Sequence, residues 1–135
     1  MNPVQFILPP GWKRPKGYSN AVVLPRGRPL FIAGQIGWDA QGKLAPDFAA
    51  QFRQALLSVR ACIEAAGGRI EHIGRIDLFV TDKSEYEANL AAIGTVWREV
   101  MGRHYPAMAL LEVKGLLEEG AKVEIEATGV VADET

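Results

Sequence analysis

The sequence predicts an α+β fold in which two helices pack on one face of a mixed β-sheet. Short apolar runs bounded by proline and glycine predict the strands. Two longer segments repeat apolar residues at three- and four-residue spacing, which is typical of helices with one buried stripe. The last predicted strand alternates apolar and polar residues, so its two faces meet different surroundings. At 135 residues, the chain is expected to form a single domain over residues 1–135.

Three short strands are predicted before the first helix. Residues 4–8 form a candidate edge strand, and a loop rich in proline and glycine follows it. The apolar runs 21–24 and 30–33 flank the polar segment 25–29, which contains two prolines and a glycine. This pattern predicts a hairpin between these two strands. A second loop, residues 39–46, leads to the first helix.

The first helix is predicted over residues 47–66. Asp47 can cap its start, and Gly67 and Gly68 can end it. The expected buried stripe contains Phe48, Phe52, Ala55, Leu56, Val59, Cys62 and Ile63. We expect Cys62 to be a buried structural thiol, because a nucleophile would need an open position and a neighbouring base.

The second helix is predicted to run from Ser84 to about Met101, before Gly102. Glu87 follows Ser84 at the spacing of a capping box. Its expected apolar positions are Leu90, Ile93, Val96, Trp97 and Val100.

Strands over residues 73–81, 107–113 and 122–131 complete the order β–β–β–α–β–α–β–β. Two helices can cover one face of this sheet only. In the last strand, Glu124 and Glu126 point away from the apolar side, and we expect Met108 and Leu110 to lie beside them. A face that mixes apolar side chains and carboxylates is best covered by a sister chain, and an open polar face is the alternative.

Composition argues against several classes of function. The formal net charge is −1, which provides no broad basic field for nucleic acid. The chain has one cysteine, no stretch of about 20 apolar residues and no signal-like start, so we expect a cytoplasmic protein that does not enter a membrane. His72 and His104 lack paired metal-ligand spacing and are expected on the surface or in loops, so no metal or cofactor is predicted.

Several segments together resemble the RidA/YjgF family, also called the reactive intermediate deaminase or L-PSP family. They are residues 18–22, 30–36, 51–68, 76–82, 105–107 and 123–127. The resemblance covers about residues 15–131, nearly the whole chain. It implies a homotrimer with three clefts between adjacent subunits. It also implies hydrolysis of enamines or imines, such as 2-aminoacrylate, to 2-oxo acids and ammonia.

The resemblance carries over to the site position by position. Tyr18, Gly34 and Glu124 match the family pattern, whereas Met108 stands where deaminating members have a carboxylate-binding arginine. A thioether cannot replace the bidentate fork of an arginine. The family's serine, asparagine and cysteine positions hold Ala33, Gly94 and Leu110.

The resulting candidate site assigns catalytic roles to Glu124 and Tyr18. Glu124 would position or activate water, and Tyr18 would hydrogen-bond the ligand. The plainer alternatives are an interface carboxylate and a loop tyrosine. The expected ligand-binding residues are Gly34, Trp38, Gly94, Tyr105, Met108 and Leu110. Trp38 could instead close the edge of the domain, and His104 is a less favoured catalytic candidate.

Three functions are compatible with this pattern. The first is a divergent hydrolase of a small reactive imine or enamine, for which the usual 2-aminoacrylate activity is not expected because of Met108. The second is a non-catalytic or regulatory trimer that binds an uncharged or aromatic ligand in the same clefts. An endoribonuclease ranks third, since the charge is near neutral and the basic cluster is best explained as a solvated turn. That cluster is Lys13, Arg14, Lys16, Arg26 and Arg28.

Overall fold

The strands and helices follow the predicted α+β class, as seen in a computed structural model that describes residues 3–134. In chain order the elements are β1 (Gln5–Ile7), β2 (Ala21–Val23), β3 (Gly27–Ile36), α1 (Phe48–Ala65), β4 (Ile73–Val80), α2 (Lys83–Ala88), α3 (Leu90–Met101), β5 (Ala107–Glu112) and β6 (Val123–Ala132). A short 3-10 turn, Ile70–His72, precedes β4.

The main sheet has four strands in the order β3-β6-β4-β5. Strand β6 is antiparallel to both of its neighbours, whereas β4 and β5 are parallel, so the sheet is mixed as predicted. The predicted hairpin between residues 21–24 and 30–33 is wrong, because β2 pairs with β1 and β3 pairs with β6. The proposed turn belongs partly to β3, where a β-carbon at Gly27 would lie 2.2 Å from the carbonyl oxygen of Val131. Glycine permits this close approach of two strands.

Helices α1 and α3 cover one face of the sheet. The side chains of Phe52, Leu56 and Val59 are fully buried against the apolar side of β4 and β6. Each such side chain contributes roughly 1.5–3 kcal/mol through burial. The predicted cap is confirmed, since the Asp47 carboxylate accepts a hydrogen bond from the Ala50 backbone N–H at 2.9 Å. The helix ends before Gly67, whose φ of 86° favours glycine.

The predicted second helix is two helices. Asp82 rather than Ser84 caps α2, because its carboxylate accepts from the Ser84 and Glu85 backbone N–H groups at 2.9 and 3.4 Å. Ser84 therefore lies inside α2, and the predicted capping box is wrong. The helix stops at Asn89, whose side-chain Nδ2 donates to the Glu85 carbonyl at 2.7 Å. Leu90, the first residue of α3, is 55% exposed and lies outside the buried stripe.

The second face of the sheet is open, and its apolar residues differ from those expected. Phe79 lies opposite both Glu124 and Leu111, whereas Ile76 of the buried face lies opposite Met108. Met108 and Leu110 thus point to the helix side, so their predicted position beside the carboxylates is wrong. Phe31, Phe79 and Leu111 are the large apolar residues of the open face, and Phe31 is 78% exposed. The alternation of apolar and polar residues within one strand does not show which of its faces lies on the same side of the sheet as a given face of the neighbouring strand.

Both histidines are buried, so a surface position for them is wrong, although His104 does lie in the loop between α3 and β5. The Nε2 atom of His104 lies 2.6 Å from the Ile73 carbonyl oxygen. The Trp97 indole N–H donates to the His104 carbonyl at 2.9 Å. Cys62 is only partly buried and packs against the core.

No helix in residues 3–134 is long and apolar enough to cross a membrane. Over the same residues, no three His, Cys, Asp or Glu side chains are grouped so that they could hold a metal ion.

Candidate functional site

A loop fixed to the start of the edge strand β5 forms one side of the candidate site. The Ser19 backbone N–H donates to the Pro106 carbonyl at 3.0 Å, and the Ser19 hydroxyl donates to the Tyr105 carbonyl at 2.5 Å. Ser19 also forms an isolated parallel bridge with Ala107. These bonds hold Tyr18 beside the first residues of β5. Because β5 has no outer neighbour strand within residues 3–134, this loop and α3 shape the space around it.

Two adjoining cavities of about 330 and 240 Å³ form a continuous depression here, which we call the edge groove. It lies between β5, α3 and the loop before Ser19. The residues that line both cavities are Lys16, Gly17, Leu78, Tyr86 and Met108. The larger cavity also contacts Phe52, Leu90, Ile93, Gly94, Trp97, Arg98 and Tyr105, and the smaller contacts Tyr18, Ala109 and Leu110.

Aromatic side chains form much of the inner surface of the edge groove. The rings of Trp97 and Tyr105 are nearly parallel, at 9° with centroids 6.2 Å apart. The indole hydrogen bond to His104 holds Trp97 in place. Burial raises the pKa of the Tyr86 hydroxyl, which therefore stays neutral at physiological pH. This surface suits an apolar or aromatic group of a ligand.

Two cations, Lys16 and Arg98, accompany this apolar surface. Gly94 precedes Arg98 by one helical turn, and a β-carbon at Gly94 would lie 3.5 Å from Nη1 of Arg98. The guanidinium group therefore extends over the glycine towards the edge groove. A side chain longer than alanine at position 94 would share this space.

The Glu124 carboxylate lies elsewhere, on the open face of the sheet and directly against Gly34. A β-carbon at Gly34 would lie 2.6 Å from both Cδ and Oε2 of Glu124. Gly34 stands where the β3–β6 register shifts, between Ile32 and Gln35. The glycine therefore provides the space that the carboxylate occupies.

Glu124 belongs to an acidic patch with Asp77 and Glu126. Removal from water, followed by the charge and hydrogen bond of Asp77, raises the pKa of Glu126, and the Glu124 charge adds to this rise. Arg75 opposes the effect and forms an ion pair with Asp77, with 2.9 Å between Nη2 and Oδ1. That contact is poorly directed for a hydrogen bond, and Oδ1 accepts none. Three carboxylates facing one arginine leave the patch negative.

The residues predicted from sequence fall into two groups within one chain. Tyr18, Gly94, Tyr105, Met108 and Leu110 surround the edge groove and its mouth. Gly34 and Glu124 lie on the opposite face, and Glu124 is two strands from β5, or about 10 Å at the usual strand spacing. Trp38 lies beyond the end of β3 in a bridge with Leu44. One chain thus does not bring the catalytic candidates to the groove residues.

The edge-groove residues that sequence reasoning missed include Lys16, Tyr86, Trp97 and Arg98. Trp97 was counted with the core, and it does pack there while its ring also faces the groove. Arg98 could have been found from its i, i+4 spacing to Gly94, which puts the two residues on one helix face. No sequence feature indicated that Tyr86 lines the groove, because α2 was not recognised as a separate helix.

Comparison with known proteins agrees with this architecture. The sequence model of the family described as Endoribonuclease L-PSP matches residues 12–131. The 2-iminobutanoate/2-iminopropanoate deaminase of Salmonella typhimurium is 33% identical over 108 residues, which cover 77% of this chain and 80% of the relative.

Two solved structures are similar throughout most of their length. The conserved Rid protein family member YyfB from Yersinia pestis has a TM-score of 0.83 at 32% identity, covering 94% of this chain and 98% of that chain. The YjgF gene product of E. coli has a TM-score of 0.67 at 32% identity, covering 85% and 88%. The matched span, these relatives and the similarity of the solved structures together show that the chain belongs to the RidA/YjgF family.

Proposed function

We propose that the chain forms a homotrimer whose inter-subunit clefts hydrolyse a small reactive imine or enamine. The observation that carries the proposal is the separation of the two groups of site residues. The edge groove and the Gly34–Glu124 pair lie on opposite faces of one sheet, and both are open. A neighbouring chain can bring its Glu124 to the groove of the first chain. Such a head-to-tail contact closes into a ring when the rotation permits.

The open sheet face supports this assembly. Phe31 and Leu111 are 78% and 45% exposed, and Phe79 lies between the strands that carry them. Phe79 and Leu111 are neighbours, and Phe31 lies opposite Thr128, four residues along β6 from Glu124. Large apolar side chains exposed on one face are typical of an interaction surface. The same face carries the acidic patch, which would then lie at the boundary between chains.

The chemistry requires a base near the imine carbon. The Glu124 carboxylate would accept a proton from water while the water oxygen adds to the imine carbon, forming a carbinolamine. That proton passes to the imine nitrogen, which completes the carbinolamine. The hydroxyl proton of the carbinolamine then passes to the same nitrogen as the carbon–nitrogen bond breaks, so ammonia leaves and a 2-oxo product remains. Tyr18 would donate a hydrogen bond to the ligand at the mouth of the groove. The deaminase name of the Salmonella relative supports this reaction class.

A non-catalytic binding trimer is the second candidate, and the apolar lining of the edge groove favours it. Its ligand would occupy the groove without reacting, so replacement of Glu124 would leave its affinity unchanged. An endoribonuclease is less well supported, because His72 and His104 are buried away from the edge groove.

Mixed trimers test the shared site. Glu124→Gln would remove the carboxylate, and Tyr105→Ala would open the groove, so each variant alone should release ammonia from oxidase-generated imines at least about a hundredfold more slowly. Mixed and reassembled in equal amounts, they should regain about a quarter of wild-type activity, since one interface in four combines two intact halves.

Two results would contradict the proposal. If activity does not recover once subunit exchange has been verified, the two groups either act within one chain or do not act at all. A Glu124→Gln rate equal to that of wild type would show that Glu124 is not the base. Ammonia release by wild type no faster than the uncatalysed reaction would contradict the hydrolase and leave the binding protein.

A further inference from the structure

The edge groove contains a cation that the family pattern does not supply. The position of the carboxylate-binding arginine holds Met108, whose side chain packs against the core on the helix side. Arg98 reaches the same cavity from α3, as does Lys16 from the loop before β2. The groove thus keeps positive charge beside Met108, although it comes from other elements.

Arg98 has no acidic partner among residues 3–134, unlike several other arginines of the chain. Arg53, Arg60, Arg69 and Arg75 each form an ion pair with a glutamate or aspartate. Lys16 likewise forms no ion pair within these residues. Two unpaired cations at one cavity are complementary to an anionic ligand. An arginine fork is well matched to a carboxylate in particular.

Gly94 lies one helical turn before Arg98 and beside its guanidinium. The Nη1 atom lies 3.5 Å from where a β-carbon at position 94 would stand, which is an ordinary contact distance, so only a side chain longer than alanine would compete with the guanidinium for space. The resemblance placed Gly94 at a position where other members carry a polar side chain. In this chain that space is used by an arginine one turn later.

We propose that Arg98, assisted by Lys16, binds the carboxylate of a ligand whose bulky apolar side chain occupies the edge groove. The aromatic pair Trp97 and Tyr105, together with Met108, contacts that side chain. This inference rests on the proposed function only in naming the substrate as the corresponding 2-imino acid. Carboxylate recognition itself does not require that the ligand reacts.

The volume of the groove agrees with a bulky side chain. Its larger cavity, about 330 Å³, lies within the range of small-molecule pockets. Met108 contributes apolar surface to this cavity and carries no positive charge. A compact 2-oxo acid such as pyruvate would contact the cations but leave the aromatic surface uncovered. An aromatic 2-oxo acid would contact both.

Arg103 provides a matched control, because it lies close to the groove without lining it. Arg103 contacts a neighbouring cavity of about 510 Å³, which meets the edge groove at Lys16, Tyr18 and Tyr105, and a second cavity beside His104. It has the same charge as Arg98 and is likewise exposed. Arg103→Gln should therefore leave the affinity of the groove for carboxylates unchanged.

The test measures binding of three probes by calorimetry: phenylpyruvate, pyruvate and the neutral ketone 4-phenyl-2-butanone. Wild type should bind phenylpyruvate at least about tenfold more tightly than either other probe, since only it engages both cations and aromatic surface. Arg98→Gln should weaken phenylpyruvate at least about tenfold and leave the neutral ketone unchanged. Arg98→Lys should recover part of the loss. Arg98→Gln with Met108→Arg should restore binding from the strand position.

Failure of this inference and failure of the proposed function give different results. If Arg98→Gln leaves phenylpyruvate binding unchanged, or Arg103→Gln abolishes it, Arg98 is not the carboxylate ligand, even when imines are hydrolysed. If binding follows Arg98 as expected and no imine is hydrolysed, carboxylate recognition holds and the hydrolase proposal falls. Circular dichroism of each variant separates loss of binding from loss of folding.

Discussion

Two glycines, Gly34 and Gly94, lie against charged groups of the candidate site. The Glu124 carboxylate occupies the space that a side chain at position 34 would need, whereas the guanidinium of Arg98 lies at ordinary contact distance from position 94. Neither has a positive φ, so their role is the missing side chain and not an unusual backbone conformation. At this scale the site depends on residues that contribute no chemistry of their own.

Gly34→Ala should impair catalysis while the fold is retained. The new β-carbon would lie 2.6 Å from the Glu124 carboxylate, which must move away. A displacement of about 1 Å at a reacting group can lower a rate by about a hundredfold. Steady-state ammonia release measures this effect, with kcat expected to fall more than the affinity for phenylpyruvate.

Gly115→Ala is the matched control, because a β-carbon there meets nothing within 4 Å. Equal activity in wild type and Gly34→Ala would mean that the carboxylate position is not critical.

At the scale of elements, buried polar groups join helices to loops and strands. Gln51 of α1 donates from Nε2 to the Ala45 and Gly120 carbonyls, both at 3.1 Å, and its Oε1 accepts from the Lys122 N–H at 2.8 Å. Beyond α3, the buried His104 contacts the Ile73 carbonyl of β4. These bonds pair the polar atoms of the buried Gln51 and His104 side chains with backbone groups at the edge of the core.

The buried histidines should make stability depend on pH. Burial is the main cause that lowers the pKa of His104, and it also lowers the pKa of His72. Well above pH 6.5, the ordinary pKa of histidine, these rings are neutral in both folded and unfolded chains. The free energy of unfolding then carries no penalty from their protonation. As the pH falls below 6.5, the unfolded chain binds protons first, and the free energy of unfolding decreases.

Urea denaturation between pH 7.5 and 5 measures this slope. His104→Gln should make it shallower, and the double variant with His72→Gln should make it shallower still. An unchanged slope in His104→Gln would mean that this ring does not resist protonation in the folded chain.

At the scale of the whole molecule, the open sheet face is the surface through which we propose that chains associate. Helices α1 and α3 cover the other face, so Phe31, Phe79 and Leu111 have no cover within residues 3–134. The acidic patch gives this face a negative centre. A partner that buries it must place apolar groups at its rim and donors near its carboxylates.

Phe31→Asp should dissociate the proposed trimer. A carboxylate at the most exposed aromatic position of the open face would be buried unpaired in the interface, at a cost of several kcal/mol. Sedimentation at micromolar concentration should report monomers, and activity should fall because the shared clefts are lost. Leu117→Asp is the control, since Leu117 is a fully exposed loop residue outside the sheet. A wild-type chain that sediments as a monomer would contradict both the assembly and its clefts.

Local patterns of the sequence determined the fold class and most elements. The apolar spacing in α1, with Asp47 before it and Gly67 after it, depends on interactions within a few residues, so the helix and its ends were predictable. The cap of α2 was misassigned because Ser84 and Asp82 are both good caps, and the choice depends on which backbone N–H groups each side chain reaches.

Tertiary structure alone decided which strands pair and which residues share a face. Whether β2 pairs with β1 or with β3, and whether Met108 or Leu111 lies beside Phe79, depends on contacts between segments far apart in the chain. Alternation fixes the two faces of each strand but not the register between strands. For the same reason, the residues of the candidate site were recognisable one by one, while their division between two faces of the sheet required the folded chain.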